Sequence, residues 1–288
     1  MRHTDILKLL LLAAIWGGSF IFMRVISPVL GAIITTNSRL LIGGMVLLIY
    51  YFFAKVPIGW RDNWKQYLII GLVNSALPFS LYAYALLHIP ASYAVVLNTT
   101  TPLFAALFAW IWLGEGMTLK KVTGFIVAAA GVALVVNIGS PEVDGDFLLA
   151  VLACLGATAC YALAGVYVKK FAGHIKPLGI AAGSQLLAAL VLLPISVTQE
   201  ISGMIDTHVI INLLGLALLS SALAYVLFFQ LIANIGPTRA MTVAYLMPVF
   251  GMLWASLFLN EAITLPMIAG TALVISGIWL VVQKAVKK

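Results

Sequence analysis

The sequence has little charge and almost no cysteine, and each shortage excludes a class of protein. Only 9% of its 288 residues are charged, whereas soluble domains carry about a quarter. Water could not solvate a surface so poor in charge, so a soluble globular domain is excluded. The two cysteines, Cys154 and Cys160, both lie in an apolar run, which argues against a disulfide framework or a zinc site.

Sequence motifs of ATP-driven transport and of common hydrolases are also missing. The chain has no phosphate-binding GxxxxGK[ST], no HExxH and no GxSxG. Its four histidines are scattered near the ends of apolar runs, without metal-ligand spacing. An intramembrane enzyme would need a buried catalytic pair, and none is visible at membrane depth. We therefore expect a protein that is not an enzyme and that uses no cofactor and no metal.

Apolar residues make up 63% of the chain and form ten long runs. A helix needs roughly 20 apolar residues to span a bilayer, where it satisfies its own backbone hydrogen bonds. The runs are continuous rather than alternating, which disfavours a β-barrel. The spans are predicted at residues 6–25, 31–54, 65–87, 92–113, 121–138, 147–168, 177–198, 209–233, 239–259 and 266–283. The sequence thus predicts an all-α polytopic membrane protein with ten transmembrane helices, the first of them retained rather than cleaved as a signal peptide.

Basic residues mark one side of the predicted membrane. Of the 16 Lys and Arg residues, 14 fall at the two termini and in alternate loops on that side, and six of the nine acidic residues fall on the other. The positive-inside rule then places both termini in the cytoplasm, for a multi-pass protein of the inner (cytoplasmic) membrane. These loops account for the net charge of +7, so no nucleic-acid partner is expected.

The two halves of the chain repeat each other. Compared without gaps, residues 88–136 and 234–282 are identical at 15 of 49 positions. The shared positions include Pro102/Pro248, Glu115/Glu261, Thr118/Thr264, Gly124/Gly270 and Gly131/Gly277. Each half holds five helices, an odd number, so the second half enters the membrane from the opposite side. The predicted repeats, 1–141 and 142–288, are therefore inverted, which is typical of secondary transporters.

Several stretches carry a family resemblance. They include "AAIWGGSFIFMRV" in helix 1 and the paired ends "LGEGMTLKKVTGFIVAAAGVALVV" and "LNEAITLPMIAGTALVISGIWLVV". The sequence resembles ten-helix members of the EamA-type family of the drug/metabolite transporter superfamily. The resemblance implies export or uptake of small metabolites, often amino acids or related compounds. It also implies a central cavity lined mainly by helices 1, 3, 4, 6, 8 and 9.

The candidate substrate-binding residues are polar or aromatic and lie near mid-span on those helices. They are Trp16, Ser19, Asn74, Tyr82, Asn98, Thr101, Tyr161, Tyr225 and Tyr245. Some have a structural alternative, such as helix packing for Trp16 or a bond from Thr101 back to its own helix. Asn74 either satisfies the carbonyl that Pro78 frees or contacts substrate. Helix hinges are predicted at Pro78, Pro102 and Pro248, because proline removes a backbone hydrogen bond.

Arg39 is a charge inside the membrane, about eight residues and roughly 12 Å into helix 2. Such charges are costly and are usually functional or paired. In a structural role Arg39 would reach helix-terminal carbonyls or Glu261, and in a binding role it would hold a substrate carboxylate. No acidic residue falls inside a predicted span. That favours facilitated diffusion or exchange over proton coupling.

The sequence therefore predicts an integral membrane secondary transporter of small metabolites, working by alternating access, with export as the predicted direction. Its partners are a small-molecule substrate and the lipid bilayer, and a homodimer is compatible with the sequence. A proton-coupled drug/metabolite antiporter is the alternative mechanism, and a non-transporting structural or regulatory subunit is the alternative of another class. The shared Glu-x-x-Thr is predicted to be a local cap, with Thr118 and Thr264 opening the next helices.

Overall fold

The computed structural model describes residues 2–53, 59–137 and 143–283, which form ten long apolar helices. The first two, α1 (residues 3–30) and α2 (residues 32–53), are arms of one helical stretch, His3–Phe53, that breaks at Gly31. The others are α3 (Trp60–His88), α4 (Ala91–Leu113), α5 (Leu119–Val136), α6 (Gly145–Phe171), α7 (Pro177–Ser196), α8 (Thr207–Ile235), α9 (Val243–Leu259) and α10 (Leu265–Val282). Each predicted span overlaps the helix of the same number, which confirms the all-α polytopic membrane fold.

Two boundaries differ from the sequence prediction. Residues 26–30 were expected in a loop but are helical, and the chain reverses at Gly31, where φ is 74° and ψ is 166°. Glycine adopts this conformation without a steric penalty, so a single residue suffices for the reversal. Helix α3 begins at Trp60 rather than at residue 65, which places Arg61 in its first turn.

Several helices contain breaks or wide turns. Helices α3 and α8, which are equivalent in the repeat, each contain a π-helical segment, Leu72–Ala76 in α3 and Gly215–Leu223 in α8. Wide turns of this kind are frequent at functional sites. Helix α4 breaks just before Pro102, whereas the break near α9 falls between Val243 and a short helix, Pro237–Ala240. The two repeats thus differ in where the same helix is interrupted.

The glycines shared by the two repeats lie where α5 crosses α10. A Cβ added at Gly124 would lie 2.6 Å from the carbonyl oxygen of Gly277, and one at Gly131 would lie 2.7 Å from that of Gly270. Each contact joins one shared position of the first half to the other shared position of the second half. This exchange is the pattern that a twofold axis between α5 and α10 produces in two inverted five-helix repeats.

The two ends of the bundle pack differently. We call them the basic end, marked by Lys120 and Arg239, and the acidic end, marked by Asp206 and Glu261. Toward the acidic end α1 packs on α3, and Arg24 donates a hydrogen bond to the carbonyl oxygen of Leu86. In the described part of the second half, the equivalent helices α6 and α8 show no comparable packing. The bundle is therefore closed at the acidic end and looser at the basic end.

Candidate functional site

Four of the predicted site residues meet in an aromatic cluster at mid-span. The ring centroid of Trp16 lies 6.2 Å from that of Tyr225, and Tyr82 stacks on Tyr161 at 6.1 Å. Phe79 contacts Tyr161 edge-on at 6.3 Å. These side chains come from α1, α3, α6 and α8, which are among the helices expected to line a cavity. Tyr82 is buried, whereas Trp16, Tyr161 and Tyr225 are half-buried. Aromatic walls of this kind suit a small amphipathic molecule.

The predicted polar residues of α1 and α4 divide into two groups. The hydroxyl of Tyr82 donates to Oδ1 of Asn98 at 2.9 Å, which joins α4 to the aromatic cluster. In contrast, Ser19 donates to the carbonyl of Trp16 at 2.6 Å, and Thr101 donates to the carbonyl of Asn98 at 2.8 Å. Both hydroxyls thus bond to their own helix, the structural alternative expected for such side chains.

Asn74 lies in the π-helical segment of α3, with its side chain close to Tyr225 of α8. Tyr225 follows the π-helical segment of α8 by two residues. The wide turns of the two equivalent helices therefore place polar side chains against each other at the centre of the bundle. Whether Asn74 satisfies the carbonyl that Pro78 frees or contacts substrate stays a prediction.

Arg39 is buried, with 4% of its surface exposed, in a pocket of uncharged groups. Its Nε donates to Oγ of Ser221 at 2.8 Å, and its guanidinium carbon lies 3.7 Å from the ring centre of Phe79. The predicted contact with Glu261 is not formed. A desolvated cation–π contact contributes about 2 kcal/mol, whereas a buried charge costs several kcal/mol without a counter-charge. No carboxylate in the described ranges pairs with Arg39.

Gln185 stands where the repeat places the counterpart of Arg39. It is fully buried, and neither its Oε1 nor its Nε2 has a hydrogen-bond partner. A Cβ added at Gly43, one turn beyond Arg39, would lie 3.1 Å from this Oε1 and 2.7 Å from Cβ of Ser221. Arg39, Gln185 and Ser221 thus form a polar cluster between α2, α7 and α8. The repeat alignment was the signal for Gln185, whereas no sequence signal distinguishes Ser221.

Tyr245 lies apart from the aromatic cluster. It packs against the group formed by Leu103 of α4 and Val274 of α10, and it lines a groove of about 320 Å³ with Ile275 and Trp279. Its assignment to substrate binding stays a prediction.

A buried carboxylate at the basic end was missed by sequence reasoning. Asp5 is 3% exposed and accepts a hydrogen bond from Nδ2 of Asn234 at 2.9 Å. It lines a cavity of about 470 Å³ together with Arg2 and Arg239. The first span was predicted to start after Asp5, but α1 starts at His3 and carries this side chain into the bundle.

The two copies of Glu-x-x-Thr have the same backbone structure. Thr118 and Thr264 each accept a hydrogen bond at 3.4 Å from the amide three residues later, which confirms their predicted role as caps. Gly114 and Asn260 end the preceding helices with φ of 68° and 54°. In both copies the glutamate amide donates to the carbonyl six residues back, at 3.1 Å in the first and 3.2 Å in the second.

The glutamate side chains have different partners. Glu261 accepts hydrogen bonds from the amides of Ala91 and Ser92 at 2.8 and 2.9 Å, and from Oγ of Ser92 at 2.6 Å. It therefore joins the end of α9 to the start of α4 in the other half, instead of capping its own turn. Glu115 forms an ion pair with Lys169 at 3.2 Å on the surface.

Ten apolar helices in two inverted repeats, with an aromatic and polar centre, define a polytopic membrane transporter. The model of the EamA-like transporter family matches residues 4–137 and again residues 148–283, so the chain belongs to this family. Among curated proteins, the uncharacterized transporter YvbV of Bacillus subtilis (strain 168) is 29% identical over 283 residues, which cover 97% of this chain and 92% of YvbV. Protein PecM of Dickeya dadantii (strain 3937) is 23% identical over 277 residues, which cover 93% of this chain and 88% of PecM.

A solved crystal structure has the same fold. It superposes with a TM-score of 0.67 at 19% sequence identity, over 98% of this chain and 97% of that one. The family resemblance expected from the sequence is confirmed, and the protein is a membrane transporter of this family.

Proposed function

We propose that this protein exports small amphipathic metabolites that carry a carboxylate, such as amino acids or related compounds, by alternating access. The observation that carries the proposal is Arg39, a buried cation with no carboxylate partner within the described ranges, beside an aromatic cluster. The substrate carboxylate supplies the missing counter-charge, and the apolar part of the substrate lies against the aromatic rings.

The donors on the polar cluster fit a carboxylate. Nε of Arg39 donates to Ser221, and one terminal nitrogen contacts Sδ of Met23 at 3.8 Å. Because a thioether is a weak acceptor, the terminal nitrogens keep donors for a ligand. Guanidinium and carboxylate groups form strong, charge-assisted hydrogen bonds in a planar arrangement. Gln185 adds an amide whose two polar atoms are both unpartnered. The polar cluster can therefore bind an anion, while Tyr161 and Tyr225 provide apolar faces nearby.

The unequal packing of the two ends supports alternating access. Inverted repeats yield two mirror states, because each half can adopt the conformation of the other. In the described state the acidic end is closed, and the basic end is the cytoplasmic one by the positive-inside rule. A substrate made in the cell would then enter through the looser basic end, as export requires.

The distribution of acidic groups supports facilitated diffusion or exchange. The described acidic residues lie near helix ends, and Asp5 is the buried one among them. A proton-coupled carrier usually needs a protonatable group in the substrate pathway.

A thermal-shift comparison tests the carboxylate. Amino acids are added to the purified protein beside matched amines that lack the carboxylate, for example phenylalanine and phenethylamine. A ligand at 100 times its Kd stabilises the native state by about 2.7 kcal/mol. We expect amino acids to raise the melting temperature, the matched amines not to, and Arg39→Gln to remove the difference. Arg61→Gln, at an exposed position, is the control. Equal shifts by both ligands would contradict the proposed substrate class.

Proteoliposome uptake of a ligand identified in this way tests the energy source. With no imposed pH gradient, the substrate should equilibrate and exchange. Accumulation driven by a pH gradient, and lost in Asp5→Asn, would instead establish proton coupling at the basic end.

A further inference from the structure

We propose that Glu261 is a latch that holds the acidic end closed, and that Glu115 becomes the equivalent latch when the basic end closes. The inference rests on the proposed alternating access but requires no particular substrate. It assigns the two glutamates of the repeat to the switch between states rather than to local helix capping.

The latch at the acidic end is formed in the described state. Glu261 accepts three hydrogen bonds, between 2.6 and 2.9 Å, from Ala91 and Ser92. These residues begin α4, where the helix presents unpaired amides and a partial positive charge, so a carboxylate is favoured there. The bonds join a residue of the second half to a helix of the first half. They must break if α9 and α4 separate at this end.

The different partners of the two glutamates reflect how the halves meet. Because both copies have the same helix end and the same threonine cap, the local backbone cannot account for the difference. Lys169 and Glu115 are 66% and 45% exposed in their ion pair, and exposed pairs of this kind contribute little stability. Glu115 is therefore available for another partner.

The repeat identifies that partner. A shift of 146 residues relates Glu115 to Glu261 and also relates residues 91–94 to residues 237–240, with Ser92 opposite Thr238 in the sequence. In the described state the segment 237–240 packs on α8, and the second half of α4 packs on α6 and α10. Closure of the basic end would bring Glu115 to the segment 237–240. One carboxylate latch would then form as the other breaks. Because Pro237, opposite Ala91, has no amide N–H, the basic-end latch would have two donors, the amide and hydroxyl of Thr238, where the acidic end has three.

Distances between spin labels at the two ends test the exchange. In a variant with Cys154→Ala and Cys160→Ala, one pair of labels is placed at residues 88 and 262 (acidic end) and another at residues 116 and 241 (basic end), all exposed. Pulsed electron paramagnetic resonance on ligand-free protein in nanodiscs gives the populations of short and long distances for each pair.

We expect Glu261→Gln to lower the ratio of acidic-closed to basic-closed protein about tenfold or more, the effect of losing one hydrogen bond to a charged group. Adding Glu115→Gln should return the ratio toward the wild-type value, because both latches are then weakened. Ser92→Ala removes one of the three bonds and should shift the ratio in the same direction as Glu261→Gln. If Glu261→Gln does not fold, the shift in Ser92→Ala tests the latch in its place. Lys169→Ala, which releases Glu115, should also favour the basic-closed state.

A lower melting temperature in Glu261→Gln with unchanged distances at both ends would overturn the proposal, since Glu261 would then be only a structural cap. The result is separable from the test of the proposed function, because the distances are measured without ligand. Exchange of the closed ends with no preference for carboxylates would leave the latch standing and remove the substrate class. A preference for carboxylates without exchange of the closed ends would support the substrate class and remove the latch.

Discussion

Gly277 lies at the crossing of α10 and α5, and a single added methyl group there tests this packing. A Cβ at Gly277 would lie 2.5 Å from the carbonyl oxygen of Gly124 and 2.7 Å from both N and Cβ of Ala128. These are mainly backbone atoms, which cannot rotate away, so the helices must separate. Overpacking costs about 3 kcal/mol at the top of its usual range. Alanine recovers about 1 kcal/mol of helix propensity over glycine.

The net effect of Gly277→Ala is thus a destabilisation of about 2 kcal/mol, or a melting temperature lower by about 4–8 °C at roughly 2–4 °C per kcal/mol. Gly165→Ala is the matched control, because a Cβ at Gly165 meets no atom within 4 Å. That control should be stabilised by up to about 1 kcal/mol. Tryptophan fluorescence of the purified proteins during heating gives both melting temperatures. Equal melting temperatures in the two variants would refute this account of the crossing.

Two further substitutions have definite expected outcomes. Thr264→Ala removes the cap of α10 and should lower stability by about 1 kcal/mol, while Thr264→Ser, which keeps the hydroxyl, should stay near wild type in the same melting assay. Tyr82→Phe removes the hydrogen bond to Asn98 but keeps the stacking on Tyr161. It should cost about 0.5–1.5 kcal/mol in melting experiments, and an unchanged melting temperature would show that this bond adds no net stability.

Features that depend on short stretches of sequence could be predicted. The ten spans follow from the length of the apolar runs, because a membrane helix needs no partner to satisfy its backbone. The caps at Thr118 and Thr264 also need only their own helix. The shared glycines indicated the repeat, whereas their contacts where α5 crosses α10 were found only in the structure.

Features that depend on how the halves meet could not be predicted. The sequence placed Glu261 correctly at a helix end, yet its partners lie about 170 residues away in the other repeat. The predicted first span leaves out Asp5 because its boundary follows hydropathy, which a carboxylate lowers. In the structure the helical hydrogen bonding begins earlier, at His3. The reversal at Gly31 was missed because one glycine carries no more signal than the other glycines in the same apolar stretch.

The sequence predicted which residues form the candidate site better than it predicted how they are arranged. The aromatic residues of α1, α3, α6 and α8 do meet, because each was chosen near mid-span on helices that converge. Tyr245 was chosen by the same criterion, but the two repeats differ at the break before α9, and it packs against α10 instead. The sequence indicates that a charge at Arg39 is costly. Its neighbours Ser221, Phe79 and Gln185 lie far away in the sequence and could be identified only from the structure.

The reciprocal glycine contacts bear on the history of the chain. If a five-helix ancestor paired with an identical copy, the contact of Gly124 with Gly277 and that of Gly131 with Gly270 would have been one contact made twice. A single mutation would then have disturbed both crossings at once. Fusion of two gene copies would have separated them and left each half free to change alone. In this chain the two halves keep glycine where two backbones touch, whereas they differ in the loops that bear the lysines.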